Sequence, residues 1–250
     1  MKKSLLIVAA MFAAVCANAQ QWKSVGDADA ADAVVAKGGE ETPVGEFNGI
    51  SVVLCGATDW TVKNTPTTEW TGADGLTYNN AYIQGGTNGM AGGLVKEGAV
   101  SSHIKITATA AGTLYVAAKF GKNKPIWAAK VATAEVEDLD VADMSAYLNT
   151  YEGKYIKDDA TYGGDEAATA DQYAALPLAI EAGNTYFFWV SGSKIMLCGL
   201  NFVAGGADGI ESVKTAAVKA DAAAYNLAGQ KVAADYKGLV IVDGKKMIRK

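Results

Sequence analysis

Between Phe47 and Val203 the chain alternates short runs of β-formers with turn residues, and apolar positions within a run recur at every second residue. The clearest stretch is HIKITATAAGTLYVAAKF. Ile104, Ile106 and Ala108 alternate there with His103, Lys105 and Thr107. Beyond Ala111-Gly112, Leu114, Val116, Ala118 and Phe120 alternate with Tyr115, Ala117 and Lys119. A period of two with one apolar face belongs to a strand that covers a core on one side, so the two arms are expected to form a hairpin. NTYFFWVSGSKIMLCGLNF predicts a second hairpin, with Ser191-Gly192-Ser193 as its turn. Strands are predicted over 49–55, 60–63, 80–84, 103–109, 113–120, 126–132, 176–180, 185–190 and 194–203. Many short strands without long helices predict an all-β fold, an antiparallel jelly-roll-like β-sandwich spanning 44–204.

Three stretches break the pattern. Residues 20–43 are rich in Ala, Asp and Gly and are expected to be a leader or linker. Residues 133–175 are polar and acidic and predict a long surface excursion, with a helical turn or two around 141–148. Residues 205–250 predict a linker and then a short C-terminal β-hairpin tail. The last twenty residues hold six basic and two acidic side chains, against a net charge of −5 for the whole chain.

The start of the chain predicts export. Lys2 and Lys3 precede an apolar run over 5–17, thirteen residues long, which is too short to cross about 30 Å of hydrocarbon as a helix. Ala17-Asn18-Ala19 is an A-x-A cleavage site, so residues 1–19 form a signal peptide and the mature chain begins at Gln20. A route through the periplasm to the medium or outer cell surface is expected, with no transmembrane segment in the mature protein. Removing the two lysines leaves a net charge of −7, which argues against nucleic acid as a partner. Cys55 and Cys198 remain. If their strands are neighbours, an oxidising compartment would join them; otherwise they are two buried free thiols.

The ending YNLAGQKVAADYKGLVIVDGKKMIRK resembles the C-terminal sorting signals of proteins exported by the Bacteroidetes type IX system. The matching blocks are Tyr225-Asn226-Leu227-Ala228-Gly229-Gln230-Lys231-Val232, then Gly238-Leu239-Val240-Ile241-Val242, then Lys245-Lys246-Met247-Ile248-Arg249-Lys250. The resemblance implies that the secretion machinery reads this tail, with Tyr225, Gly229, Gly238, Lys245 and Lys246 as its marks. On its residues alone, the tail is expected to be a hairpin with basic flanks; the alternative to a sorting signal is an extra β-hairpin packed on the main domain. That main domain resembles, more faintly, the β-sandwich modules of secreted polysaccharide-degrading enzymes, through Ala111-Gly112-Thr113-Leu114-Tyr115-Val116 and the aromatic strand ending in Ser191-Gly192-Ser193.

Candidate chemistry is sparse. One histidine and one arginine serve the chain, which leaves no zinc site of the usual spacing. No G-x-S-x-G elbow accompanies His103, which is expected to point to solvent. The acids Asp138, Asp140, Asp143, Asp158, Asp159, Asp165 and Glu166 sit in a loop-like run, where solvated charge is the ordinary outcome. They supply oxygen ligands of the kind a structural calcium ion takes, and no other cofactor is expected. GGTNGMAGG over 85–93 lacks the strand and helix context of a phosphate loop and is expected to use positive φ. Catalysis is not expected. Aromatic rings beside amides suit the apolar faces and hydroxyls of sugars, and Trp70, Tyr78, Asn80, Tyr82 and Trp127 are the candidates. Trp60 and Trp189 are expected in the core. The expected function is therefore a non-catalytic, glycan-binding surface module. The alternative is a structural or adhesive protein that binds another protein or the cell envelope.

Overall fold

A computed structural model describes residues 19–25, 31–63, 66–205, 224–226, 231–232, 238–242 and 245–249. The expected signal peptide through Asn18 lies outside the described residues, as does Gly229. The chain divides into two compact units, Met1–Gly205 and Gly206–Lys250.

The first unit contains β1 (Ala19–Lys23), β2 (Val34–Ala36), β3 (Thr42–Phe47), β4 (Ile50–Cys55), β5 (Trp60–Lys63), β6 (Glu69–Thr71), β7 (Thr77–Asn79), β8 (Tyr82–Gln84) and β9 (Val95–Lys96). It continues through β10 (Ala99–Val100), β11 (His103–Ala108), β12 (Gly112–Phe120), β13 (Ile126–Ala132), β14 (Leu148–Ile156), β15 (Tyr162–Gly164), β16 (Gln172–Ile180), β17 (Asn184–Val190) and β18 (Met196–Ala204). Two 3-10 helices, Thr133–Asp138 and Ser145–Tyr147, are its only helices among the described residues.

One sheet runs β16-β12-β18-β8-β5-β2, with β1 also paired to β18; the other runs β15-β14-β13-β17-β11-β4-β3. Eight of these strands wind as a jelly roll. The last, β18, returns beside the first, β8, to give β8-β18-β12-β16, while the intervening strands give β11-β17-β13-β14. The pairings are antiparallel, so the predicted all-β antiparallel sandwich is the observed fold.

The alternation seen in sequence sets the two inner faces. Leu114, Val116 and Ala118 sit opposite Leu178, Leu176 and Ala174 on β16, and opposite Phe202, Leu200 and Leu197 on β18. Ile104, Ile106 and Ala108 sit opposite Leu54, Val52 and Ile50. All belong to one buried cluster that also holds Trp60 and Trp189. Non-polar burial on this scale is what drives the sheets together.

The pairing differs from expectation. Neither apparent hairpin is one. β11 pairs with β4 and β17, whereas β12 pairs with β16 and β18 in the other sheet. Likewise β17 and β18 lie in different sheets. Residues 109–111 and 191–195 therefore carry the chain across the core. Two further expectations are corrected by new strands. The leader supplies β1 and β2 and opens β3, and the acidic excursion contains β14, β15 and the start of β16.

Cys55 and Cys198 are both free and buried, on strands of opposite sheets, which corrects the bridge. Burial pushes each thiol up to about 12, so neither is a nucleophile near neutrality. The glycine loop serves close packing more than positive φ. A Cβ on Gly89 would lie 2.2 Å from the Val190 carbonyl oxygen, and one on Gly93 would lie 2.1 Å from that of Ala142. This loop covers the outer side of β17, where the Trp189 indole N–H donates to the Met90 carbonyl at 2.7 Å.

The same covering explains His103, which is buried rather than solvated. Its Nδ1–H donates to the Ser101 carbonyl at 2.8 Å, and its ring lies 5.9 Å from that of Phe187.

The second unit holds β19 (Ala224–Tyr225), β20 (Lys231–Val232), β21 (Gly238–Val242) and β22 (Lys245–Arg249), in the order β20-β19-β21-β22. The expected hairpin is β21–β22, with Gly238 opposite Arg249 and Val242 opposite Lys245. Two short strands extend it. No helix among the described residues is long and apolar enough to cross a membrane.

Burial lowers the His103 pKa from 6.5 to about 4, so the folded state resists protonation that the unfolded chain accepts. Stability is then complete above the unfolded value and is lost as pH falls towards 4, by about 3 kcal/mol at the lower end. Urea unfolding between pH 4.5 and 7 should show this slope, and His103→Gln should flatten it. A slope unchanged in the variant would assign the effect to another group.

Candidate functional site

The outer face of the sheet containing β12 is built from small residues. Ala117, Ala175 and Gly199 lie side by side across three strands. Between Ala117 and Ala118 the register of β12 against β18 shifts by one residue, a bulge at Cys198 that puts this thiol on the same face as Gly199. Small side chains leave a shallow seat, and the β6–β7 hairpin fills it with Tyr78.

Tyr78 is fully buried, and a Cβ on Gly199 would lie 3.1 Å from its ring. Its hydroxyl donates to Asp74 Oδ2 at 2.6 Å, and the Asn201 side-chain amide donates to the same oxygen at 2.9 Å. Burial and then the Asp74 carboxylate raise the phenol well above the ordinary tyrosine value. Asp74 also accepts from the Leu76 N–H at 3.2 Å, which fixes the turn between β6 and β7. One aspartate thereby ties the hairpin tip to β18.

Trp70 stacks on this anchor. Its ring lies 5.0 Å from Tyr78 at an interplanar angle of 26°, and 5.7 Å from Tyr173 at 44°. Its indole N–H donates to the Asn79 carbonyl at 3.0 Å. Trp70, Tyr82, Tyr115 and Tyr173 are all half-buried around the same cluster. Lys119 stands beside them, 5.9 Å from the centre of the Tyr82 ring and 2.9 Å from the Asp171 carboxylate. Burial alone would lower the Lys119 ammonium, but Asp171 raises it above the usual lysine value. Lys119 in turn holds Asp171 below the ordinary carboxylate range. Both groups are therefore charged near neutrality.

The structure brings Trp70, Tyr78, Asn80 and Tyr82 into one region but gives them different work. Tyr78 is an anchor with no exposed surface. Asn80 is occupied in closing its own loop, where Oδ1 accepts from the Thr67 and Thr68 N–H groups at 3.0 and 3.2 Å and Nδ2 donates to the Thr67 hydroxyl at 2.9 Å. Burial leaves Tyr78 no surface to offer a ligand, which corrects its place as a contact residue, whereas half-buried Asn80 spends these three hydrogen bonds within its own loop. Trp127 lies apart, on β13 of the other sheet. It is stacked on Trp189 at 6.3 Å, with its N–H donating to the Ser191 hydroxyl at 2.9 Å and Gly153 pressed against its ring. It is half-buried there, apart from the rings gathered around Tyr78.

Sequence reasoning missed Tyr173, Tyr115, Lys119 and Asp171 as site residues. Tyr115 and Lys119 were legible as the outward positions of β12. Tyr173 was not, because it opens β16 within a stretch dominated by acids.

Those acids cap turns and pair with lysines. Asp140 accepts from the Ala142 N–H, Asp143 from that of Ser145, and Asp158 from that of Thr169; Asp165 pairs with Lys154. Among the described residues no three His, Cys, Asp or Glu side chains gather as metal ligands. Every carboxylate with a displaced pKa among them is displaced downward, the opposite of what a general acid needs. Trp70, Tyr82, Tyr115 and Tyr173 leave half-buried ring surface on the outer face of the β12 sheet.

No protein-family model matches the chain, and no curated protein matches it.

Proposed function

We propose that the protein is an exported, non-catalytic module, displayed on the outer cell surface or released, that binds glycan on the outer face of its β12 sheet. One observation carries the reading: Trp70 and Tyr173 present half-buried rings side by side on a sheet face, above a tyrosine that already satisfies the packing beneath them. A pyranose ring offers an apolar C–H face that stacks on such rings, and its hydroxyls suit the neighbouring ammonium and carboxylate. Export rests on the basic, apolar and A-x-A order of the first nineteen residues. The strand β1 starts at Ala19, so cleavage after that residue would leave its remainder paired to β18. The C-terminal unit serves as the sorting signal that its three blocks resemble, read by the secretion machinery.

The mature protein should be retained on a panel of insoluble polysaccharides. Trp70→Ala should weaken that binding at least about tenfold, while Trp127→Ala leaves it unchanged. Equal binding by parent and Trp70→Ala would remove the site. Deleting residues 210–250 should hold the protein in the periplasm, and normal display of the truncated chain would refute the role given to the tail.

A further inference from the structure

The lysines of the first unit divide into two groups. Lys37, Lys63, Lys105, Lys119, Lys130 and Lys154 each meet a carboxylate. Lys23, Lys96, Lys122, Lys124, Lys157 and Lys194 meet none among the described residues, and of these Lys96, Lys124 and Lys194 come together at one end of the sandwich. The chain there is tied together by its backbone. Gly89 N–H donates to the Ser193 carbonyl and Gly192 N–H to the Gly89 carbonyl, both at 3.0 Å. This brings the loop over 86–89 against the crossing at 191–195. Lys194 belongs to that crossing, and the Lys124 ammonium lies 3.7 Å from where a Cβ on Gly192 would stand. Lys96 is placed by the β9–β10 hairpin, whose turn residues Glu97 and Gly98 have φ of 52° and 81°. Thr87, Asn88, Lys96, Glu97 and Lys194 line an open depression of about 390 Å³. With Glu97 included, the lining keeps a net positive charge in a chain whose net charge is −5.

This basic end adjoins the aromatic face. The loop after β12 bears Lys124 and Lys122, and the Lys122 N–H donates to Asp171, the partner of Lys119 above Tyr82. A polymer stacked on Trp70 and Tyr173 and running past Tyr82 would meet Lys119 and then the loop that bears Lys122 and Lys124, whose Lys124 ammonium stands beside Gly192 in the crossing that carries Lys194. An acidic protein that leaves Lys96, Lys124 and Lys194 uncompensated beside its aromatic face has a surface suited to negative charge spaced along a chain.

We propose that the glycan is anionic, a polysaccharide carrying carboxylate or sulfate groups, and that Lys96 and Lys194 bind those groups in the depression beside the aromatic face. The proposal rests on the glycan-binding reading above.

The test uses charged and uncharged forms of one polymer: polygalacturonate against its methyl ester, and dextran sulfate against dextran. Each is measured with the mature protein, Lys96→Ala/Lys194→Ala, Lys96→Arg/Lys194→Arg and Trp70→Ala, after thermal melting has shown the variants folded. The parent should prefer the charged form of at least one pair. That binding should weaken about tenfold in the alanine pair, survive in the arginine pair and weaken in Trp70→Ala. Which pair shows the preference identifies carboxylate or sulfate. Equal binding of charged and uncharged forms, still lost in Trp70→Ala, would overturn the anionic class and leave the glycan face standing. Lysine-dependent binding indifferent to Trp70→Ala, or no binding in any arm, would overturn the glycan face and this inference with it.

Discussion

Tyr78 seated on Ala117, Ala175 and Gly199 decides what the outer face of the β12 sheet can be. A sheet face of small residues is too flat to hold a hairpin by itself. The Tyr78 ring fills the gap, and its hydroxyl, with the Asn201 amide, ends on Asp74 at the hairpin tip. A buried tyrosine hydroxyl without a partner would cost free energy of the order of 1–3 kcal/mol, so ring and aspartate act as a unit. Trp70 is then held by stacking below and by one hydrogen bond to Asn79. Its exposed surface is a consequence of the seat beneath it, and Tyr173 completes the surface from the neighbouring strand. An aromatic pair fixed in this way loses little side-chain entropy when something stacks on it.

The face of each strand was legible in the sequence and its partner was not. Ile104, Ile106 and Ala108, then Leu114, Val116 and Ala118, point inward as their alternation says. A short loop between two such strands fits a hairpin, and it equally fits a crossing between sheets about 10 Å apart, since three extended residues span that distance. Residues 109–111 and 191–195 take the crossing, and periodicity carries no signal for that choice. His103 shows a second limit. It occupies an outward position of β11, but the glycine loop over 85–93 covers the face it points to, so parity gives the side of the sheet and not the solvent. Of the candidate site, Trp70 and Tyr82 could be read from the aromatic and polar mixture around them. Tyr173 could not, because its strand begins inside an acidic run that looks like loop.

Charge has a local meaning in this chain more than a global one. Surface ion pairs such as Lys37–Asp59 and Lys130–Glu181 add at most about 1 kcal/mol each, so they explain little of the stability. Their effect is to quench positive charge over most of the first unit. Of the six lysines left without a carboxylate among the described residues, Lys96, Lys124 and Lys194 stand together at one end of the sandwich, a local positive charge in an acidic protein. The same surroundings keep the cysteines and the histidine out of chemistry, since burial holds both thiols protonated and the imidazole neutral near pH 7.

The central claim is that one tryptophan of five meets the ligand. Indole N–H resonances of the 15N-labelled mature protein, followed while a bound oligosaccharide is titrated in, separate Trp22, Trp60, Trp70, Trp127 and Trp189 in a single spectrum. The Trp70 resonance should shift to saturation while those of Trp60, Trp127 and Trp189 stay in place; a saturating shift at Trp127 with Trp70 unmoved would contradict the account.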